Sequence, residues 1–132
     1  MKLLLDTHIW LWSVLEPAHL SRRVARALAS EANELWLSPI SVWEATLLAE
    51  RGRISVAKDD AASWVQRALR AAPLREAPLT FDVAVESRRV PLPHADPADR
   101  FLVASAIVHG LTLVTADKRL LRGKACAMLA NT

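Results

Sequence analysis

A single cysteine, three glycines, no tyrosine and no long uninterrupted apolar run delimit what this 132-residue chain is able to be. Cys126 alone can form neither an intrachain disulfide nor a multi-cysteine zinc site, and one thiol fits a reducing, cytoplasmic setting. Gly52, Gly110 and Gly123 lie far apart, so neither a glycine-rich dinucleotide loop nor a P-loop can be built from them. Asp6 and His8 break the apolar N-terminal stretch, and residues 1–15 lack a cationic leader; neither a secretory signal nor a membrane span is expected. Acidic charge is the minority, 14 Asp and Glu against 17 Lys and Arg. The cations cluster, as in Arg22-Arg23-Arg26 and Lys118-Arg119-Arg122-Lys124. Such clusters favour a polyanionic partner, although each alone reads more readily as a solvated helix face. At this length one domain spanning residues 1–132 is expected, burying roughly two-thirds of the unfolded chain's surface.

What is present alternates between strand and helix signals. Leu3-Leu4-Leu5, without polar alternation, suits a strand buried on both faces of a parallel sheet. It ends abruptly at Asp6-Thr7-His8, and an apolar helix is expected from His8 to Leu15. Ser21 caps a helix over 22–32, with Val24 and Leu28 on one face and the arginines on the other. Leu35 to Leu37 is a short strand. Ser38-Pro39 then starts a helix to about Glu50, with serine as cap and proline in the first turn. Asp59-Asp60 opens a helix to about Ala71, a weak strand lies near 74–77, and Thr80 caps a helix through Arg88. Val90 to Asp96, with Pro91 and Pro93, is extended, and Pro97 starts a helix that ends at His109-Gly110. Leu111 to Thr115 is a strand, 117–121 a helical turn and 126–129 a closing edge strand. The alternation predicts a three-layer α/β domain with a central, mainly parallel sheet flanked by helices.

This architecture gathers four carboxylates at one edge of the sheet. Asp6 and Asp117 follow strands; Glu44 and Asp99 lie near the starts of helices. Each has a plainer reading: Asp6 and Asp117 as helix caps, Glu44 as a solvated helix residue, Asp99 as a first-turn acid favoured by the helix dipole. Asp96 is expected to cap its helix or pair with Arg100 four residues on. Jointly, four acids at one edge favour a metal site, because two carboxylates about 4 Å apart repel by roughly 4 kcal/mol at an effective dielectric near 20. Hard oxygen donors without a Cys or His cluster point to Mg2+ or Mn2+, and such an ion activates water against a phosphodiester. Five tryptophans are the other unusual abundance. Trp36 and Trp43 are expected in the core. Trp10 and Trp12 point to different sides of the first helix, and an exposed one would stack an RNA base or fill a protein interface, core or dimer packing being the weightier reading. His19, His94 and His109 are expected to be structural.

Four segments in order, Leu3 to His8, Ser38 to Glu44, Leu92 to Ala106 and Leu113 to Asp117, resemble the motifs of PIN-domain nucleases, in the branch containing VapC-type toxins of bacterial toxin-antitoxin pairs. The likeness covers essentially the whole chain. It implies an endoribonuclease dependent on Mg2+ or Mn2+, with Asp6, Glu44, Asp99 and Asp117 catalytic and Asp6, Asp99 and Asp117 on the metal. Thr115 and Thr7 would support the site, and Arg100 and His8 would meet RNA or an antitoxin. The partners implied are an RNA substrate, a cognate antitoxin protein and a second copy in a homodimer. Two other readings stay open: a non-catalytic RNA-binding regulatory module, and a Mg2+-dependent phosphatase with Asp6 as nucleophile, which His8 in place of a second carboxylate disfavours.

Overall fold

In the computed structural model, which describes residues 1–54, 60–93 and 95–132, five parallel strands form one sheet in the order β3-β2-β1-β4-β5. Expectations at Asp59 and His94 fall outside the described residues. β1 (Lys2–Leu5) is central, pairing with β2 (Glu34–Leu37) on one side and β4 (Thr112–Thr115) on the other. β3 (Arg75–Glu76) and β5 (Met128–Ala130) close the edges. The chain therefore winds outward one way through β2 and β3, then returns to the other side of β1 for β4 and β5. That reversal opens a crevice between the carboxyl ends of β1 and β4.

Burial of β1 on both faces follows from its leucines. Leu3 and Leu5 enter one core with Ile9 and Trp10 of α1 (Thr7–Leu15), Val24 of α2 (Arg22–Ala29), Ala45 of α3 (Pro39–Glu50) and Val65 of α4 (Ala61–Arg70). Leu4 points the other way, toward Val83 of α5 (Phe81–Arg89), Leu102 of α6 (Pro97–His109) and Leu120 of α7 (Lys118–Gly123). Period-two alternation of strand side chains makes these the outer layers of a three-layer sandwich.

Local signals set most helix ends. Ser21, Ser38, Asp60, Thr80 and Asp96 each accept a backbone N–H of the helix they precede. Gly110, in the left-handed conformation at φ 67°, ends α6, a geometry that costs a residue bearing Cβ. Two expectations need correction. α2 stops at Ala29, short of residue 32. Trp43 is 59% exposed rather than in the core. It lies two positions from buried Ala45, about 200° around the helix, so turning Ser41 and Ala45 inward turns Trp43 outward. Along α6, Leu102 to Ala106 are buried while Ile107 and Val108 reach solvent.

Candidate active site

The crevice between β1 and β4 holds a pocket of about 350 Å³ lined by Asp6, Glu44, Asp96, Asp99 and Asp117, with His8, Trp12, Ala116 and Arg119. All four expected acids meet there, and Asp96 joins them. A larger cavity of about 530 Å³, lined by residues such as Leu28, Leu35 and Leu74, lies at the amino ends of β2 and β3, away from these acids. Volume alone is therefore a poor guide to the chemistry here; the convergence of charge is the better one.

Asp6 occupies the cap position of α1, and its carbonyl accepts the Trp10 N–H, yet its carboxylate makes no capping bond. It is held instead from β4: the Thr115 hydroxyl donates to Asp6 Oδ2 at 2.7 Å, and Thr115 Oγ1 in turn accepts the Asp117 N–H at 3.0 Å. Thr115 thus ties both strand ends together. Burial raises the Asp6 carboxyl above its ordinary value; the Thr115 bond, His8 and the Thr7 N–H pull it down, and Asp117 pushes it up again.

Glu44 arrives from α3 and is fixed by α1. Thr7, wholly buried, hydrogen bonds to Glu44 Oε1 at 2.6 Å and to Ser41 Oγ at 2.9 Å. An ionised carboxylate only accepts, so the Thr7 proton serves Glu44. Burial, then repulsion from Asp6 and Asp96, raise the Glu44 carboxyl, against the Thr7 bond and His8. Ser41 was not anticipated. Its signal was weak: a serine one turn ahead of Ala45 on the same helix face.

Asp96 and Asp117 both cap helices. Asp96 accepts the Ala98 N–H, while Asp117 Oδ1 accepts those of Arg119 and Leu120. Burial would raise Asp117, but those N–H groups and the Arg119 guanidinium outweigh it and hold the carboxyl low. Asp99, buried in the first turn of α6, shares Arg119 with Asp117, each at 3.5 Å. Arg119 was missed as a site residue because its cluster read as a solvated face.

Arg100 is corrected. It is absent from the pocket, and its guanidinium donates to the carbonyls of Ser87, Val90 and Leu92 at 2.9–3.1 Å. It anchors the extended loop between α5 and α6, which leaves it neither a pair for Asp96 nor a phosphate contact. His8, exposed, lines the pocket. His109 donates from Nε2 to the Pro78 carbonyl, a structural role.

A family model described as PIN domain matches residues 3–125. The chain is 40% identical over 118 residues to Ribonuclease VapC22 of Mycobacterium tuberculosis, covering 89% of this chain and 88% of that protein. Among solved structures it resembles VapBC2 from Rickettsia felis bound to a promoter DNA fragment, with TM-score 0.75, 17% identity and 98% of both chains covered. It also resembles a toxin-antitoxin complex from Klebsiella pneumoniae, with TM-score 0.64, 21% identity and coverage of 98% and 97%. The match over residues 3–125 takes in all four acidic positions, and the chain belongs to the PIN domain family.

Proposed function

We propose that this chain is a single-domain, divalent-metal-dependent endoribonuclease, the toxin of a toxin-antitoxin pair, acting in the cytoplasm and restrained by a cognate antitoxin protein. The observation that carries the reading is the convergence of five carboxylates at the sheet's switch point, answered among the described lining residues by one arginine, Arg119. A relative named as a ribonuclease and a fold neighbour described as a toxin-antitoxin complex support the substrate and the partner. No described helix is long and apolar enough to cross a membrane.

The donor set fits a hard cation. It offers carboxylate oxygens and neither a thiol nor an imidazole cluster. Among the described residues no three such groups are drawn tightly enough together to hold an ion by themselves. That openness suits Mg2+, which keeps several waters and binds through one or two carboxylates plus substrate phosphate. Asp6, Asp99 and Asp117 would hold it, and when bound it would polarise the phosphodiester and activate water.

The chain's own residues supply the rest. Glu44, with its carboxyl raised toward the working pH and its orientation set by Thr7, takes the proton of the attacking water. Thr115 holds Asp6 in register with Asp117. Arg119 yields the carboxylates to the cation and meets the phosphate. The test is cleavage of single-stranded RNA with Mg2+ or Mn2+. Asp6→Asn, Glu44→Gln and Asp99→Asn should each abolish cutting with an unchanged circular dichroism spectrum, and undiminished cutting in EDTA would refute the reading.

A further inference from the structure

Beside the acidic pocket lies a second cleft of about 310 Å³ between α1 and the end of α3, lined by residues including Leu11, Leu15, Leu48 and Arg53. His8 and Trp12 line both cavities, so the two adjoin across one edge of α1. These residues are four apart and share a helix face, with rings 6.1 Å apart. His19, from the 3-10 turn Pro17–His19, also meets Trp12, with ring centroids 5.2 Å apart, and is itself held by Glu16 at 2.8 Å.

Trp12 therefore has a setting unlike that of Trp10. Trp10 is 2% exposed and belongs to the core. Trp12 only rests against the core and is half-buried, with its accessible surface facing both clefts. An indole that meets two imidazoles only at tilted angles, with leucines and Glu16 in one cleft and carboxylates in the other, offers its accessible surface to a flat, partly apolar ring. Arg53, exposed at the cleft wall, adds the cation that a flanking phosphate requires.

We propose that Trp12 is the floor of a nucleobase subsite: a base of the RNA next to the scissile phosphate stacks on its indole in the α1–α3 cleft, while Arg53 faces the adjoining phosphate. This rests on the nuclease reading of the acidic pocket. Stacking accepts any base, so the subsite positions the strand more than it selects sequence. Trp12 makes none of the carboxylates' hydrogen bonds described above, so a Mn2+ titration separates loss of the platform from disturbance of the acids.

The probe is a short fluorescein-labelled single-stranded RNA with 2′-O-methyl ribose, which binds without being cut, carrying an abasic site at each position in turn. Anisotropy is measured with the wild type, Trp12→Ala and Trp12→Phe, and Mn2+ binding is followed by calorimetry. In the wild type one abasic position should weaken binding roughly 5- to 150-fold. In Trp12→Ala that penalty should vanish and in Trp12→Phe persist in part, with Mn2+ affinity unchanged. Because each penalty compares two RNAs on one protein, a partly unfolded variant does not mimic the result. Equal abasic penalties in wild type and Trp12→Ala, or no abasic penalty at any position in the wild type, would overturn the subsite. Wild-type protein that shows the Trp12-dependent penalty but never cuts unmodified RNA would instead overturn the nuclease reading.

Discussion

Replacing Thr115 by valine removes one oxygen and little else, and that oxygen joins the two strand ends of the site. The side chain is wholly buried. Its Oγ1 donates to Asp6 at 2.7 Å and accepts from the Asp117 N–H at 3.0 Å. The first bond, to a charged acceptor, is worth about 1.5–3 kcal/mol, and leaving the Asp117 N–H unanswered costs about 1–3 kcal/mol more. Valine recovers part of this through apolar burial, so the folded state should lose on the order of 2–4 kcal/mol in urea titrations. The functional effect is separable. Without Thr115 to orient it, Asp6 should bind Mn2+ roughly 10- to 100-fold more weakly, the range that removal of a ligand's supporting hydrogen bond produces.

The same bond is one of the influences that lower the Asp6 carboxyl against its burial. Its loss raises that carboxyl further, so the Mn2+ deficit should be largest at low pH and shrink as pH rises. Calorimetric Mn2+ titration of folded protein at several pH values is the assay, with Thr115→Ser as control. Serine keeps the oxygen and should stay near wild type. The reasoning fails if Thr115→Val binds Mn2+ within about twofold of wild type, a shift of less than about 0.5 kcal/mol. It fails equally if serine falls as far as valine.

Burial lifts the Asp6 carboxyl above 3.8, so in the metal-free protein the folded state holds this proton more tightly than the unfolded one. Stability from this group is therefore present at low pH and lost as pH rises through the folded value, so Asp6→Asn should raise the neutral-pH melting temperature without metal and flatten its pH dependence. A lower melting temperature would contradict this. Arg119 bridges Asp99 and Asp117 from a half-exposed position, where an ion pair is worth about 0–1 kcal/mol. Arg119→Gln should tighten Mn2+ binding by up to about fivefold in calorimetry while weakening RNA binding, and weaker Mn2+ binding would remove its role as a placeholder. Arg100→Lys presents one ammonium to three diverging carbonyls and should cost about 2–4 kcal/mol in urea titrations, with cleavage per folded molecule unchanged. Unaltered stability with poorer RNA binding would return Arg100 to the phosphate track.

The sheet edge was legible because its makers are local. An apolar triplet, a Ser-Pro start, an Asp-Pro start and a strand ending in threonine each declare themselves within a few residues, through hydrogen bonds reaching two or three positions along the chain. What a side chain meets across the fold was less legible. Arg100 turns to carbonyls 8 to 13 residues back, at the end of α5 and in the α5–α6 loop, and nothing beside Arg100 in the sequence announces that contact. Trp43 faces out because α3 seats its small residues, Ser41 and Ala45, inward; side-chain size decides this against hydrophobicity. The sequence posed one choice, between helix cap and metal ligand, that the structure dissolves. Asp117 Oδ1 satisfies two N–H groups of α7, while Oδ2 makes no cap bond and faces the Arg119 guanidinium at 3.5 Å. A carboxylate has two oxygens and about four lone-pair directions, so starting a helix and facing a cation are compatible duties. Capping, moreover, holds Asp117 low and ionised in a pocket where burial raises Asp6 and Glu44, which makes the cap a condition of the site.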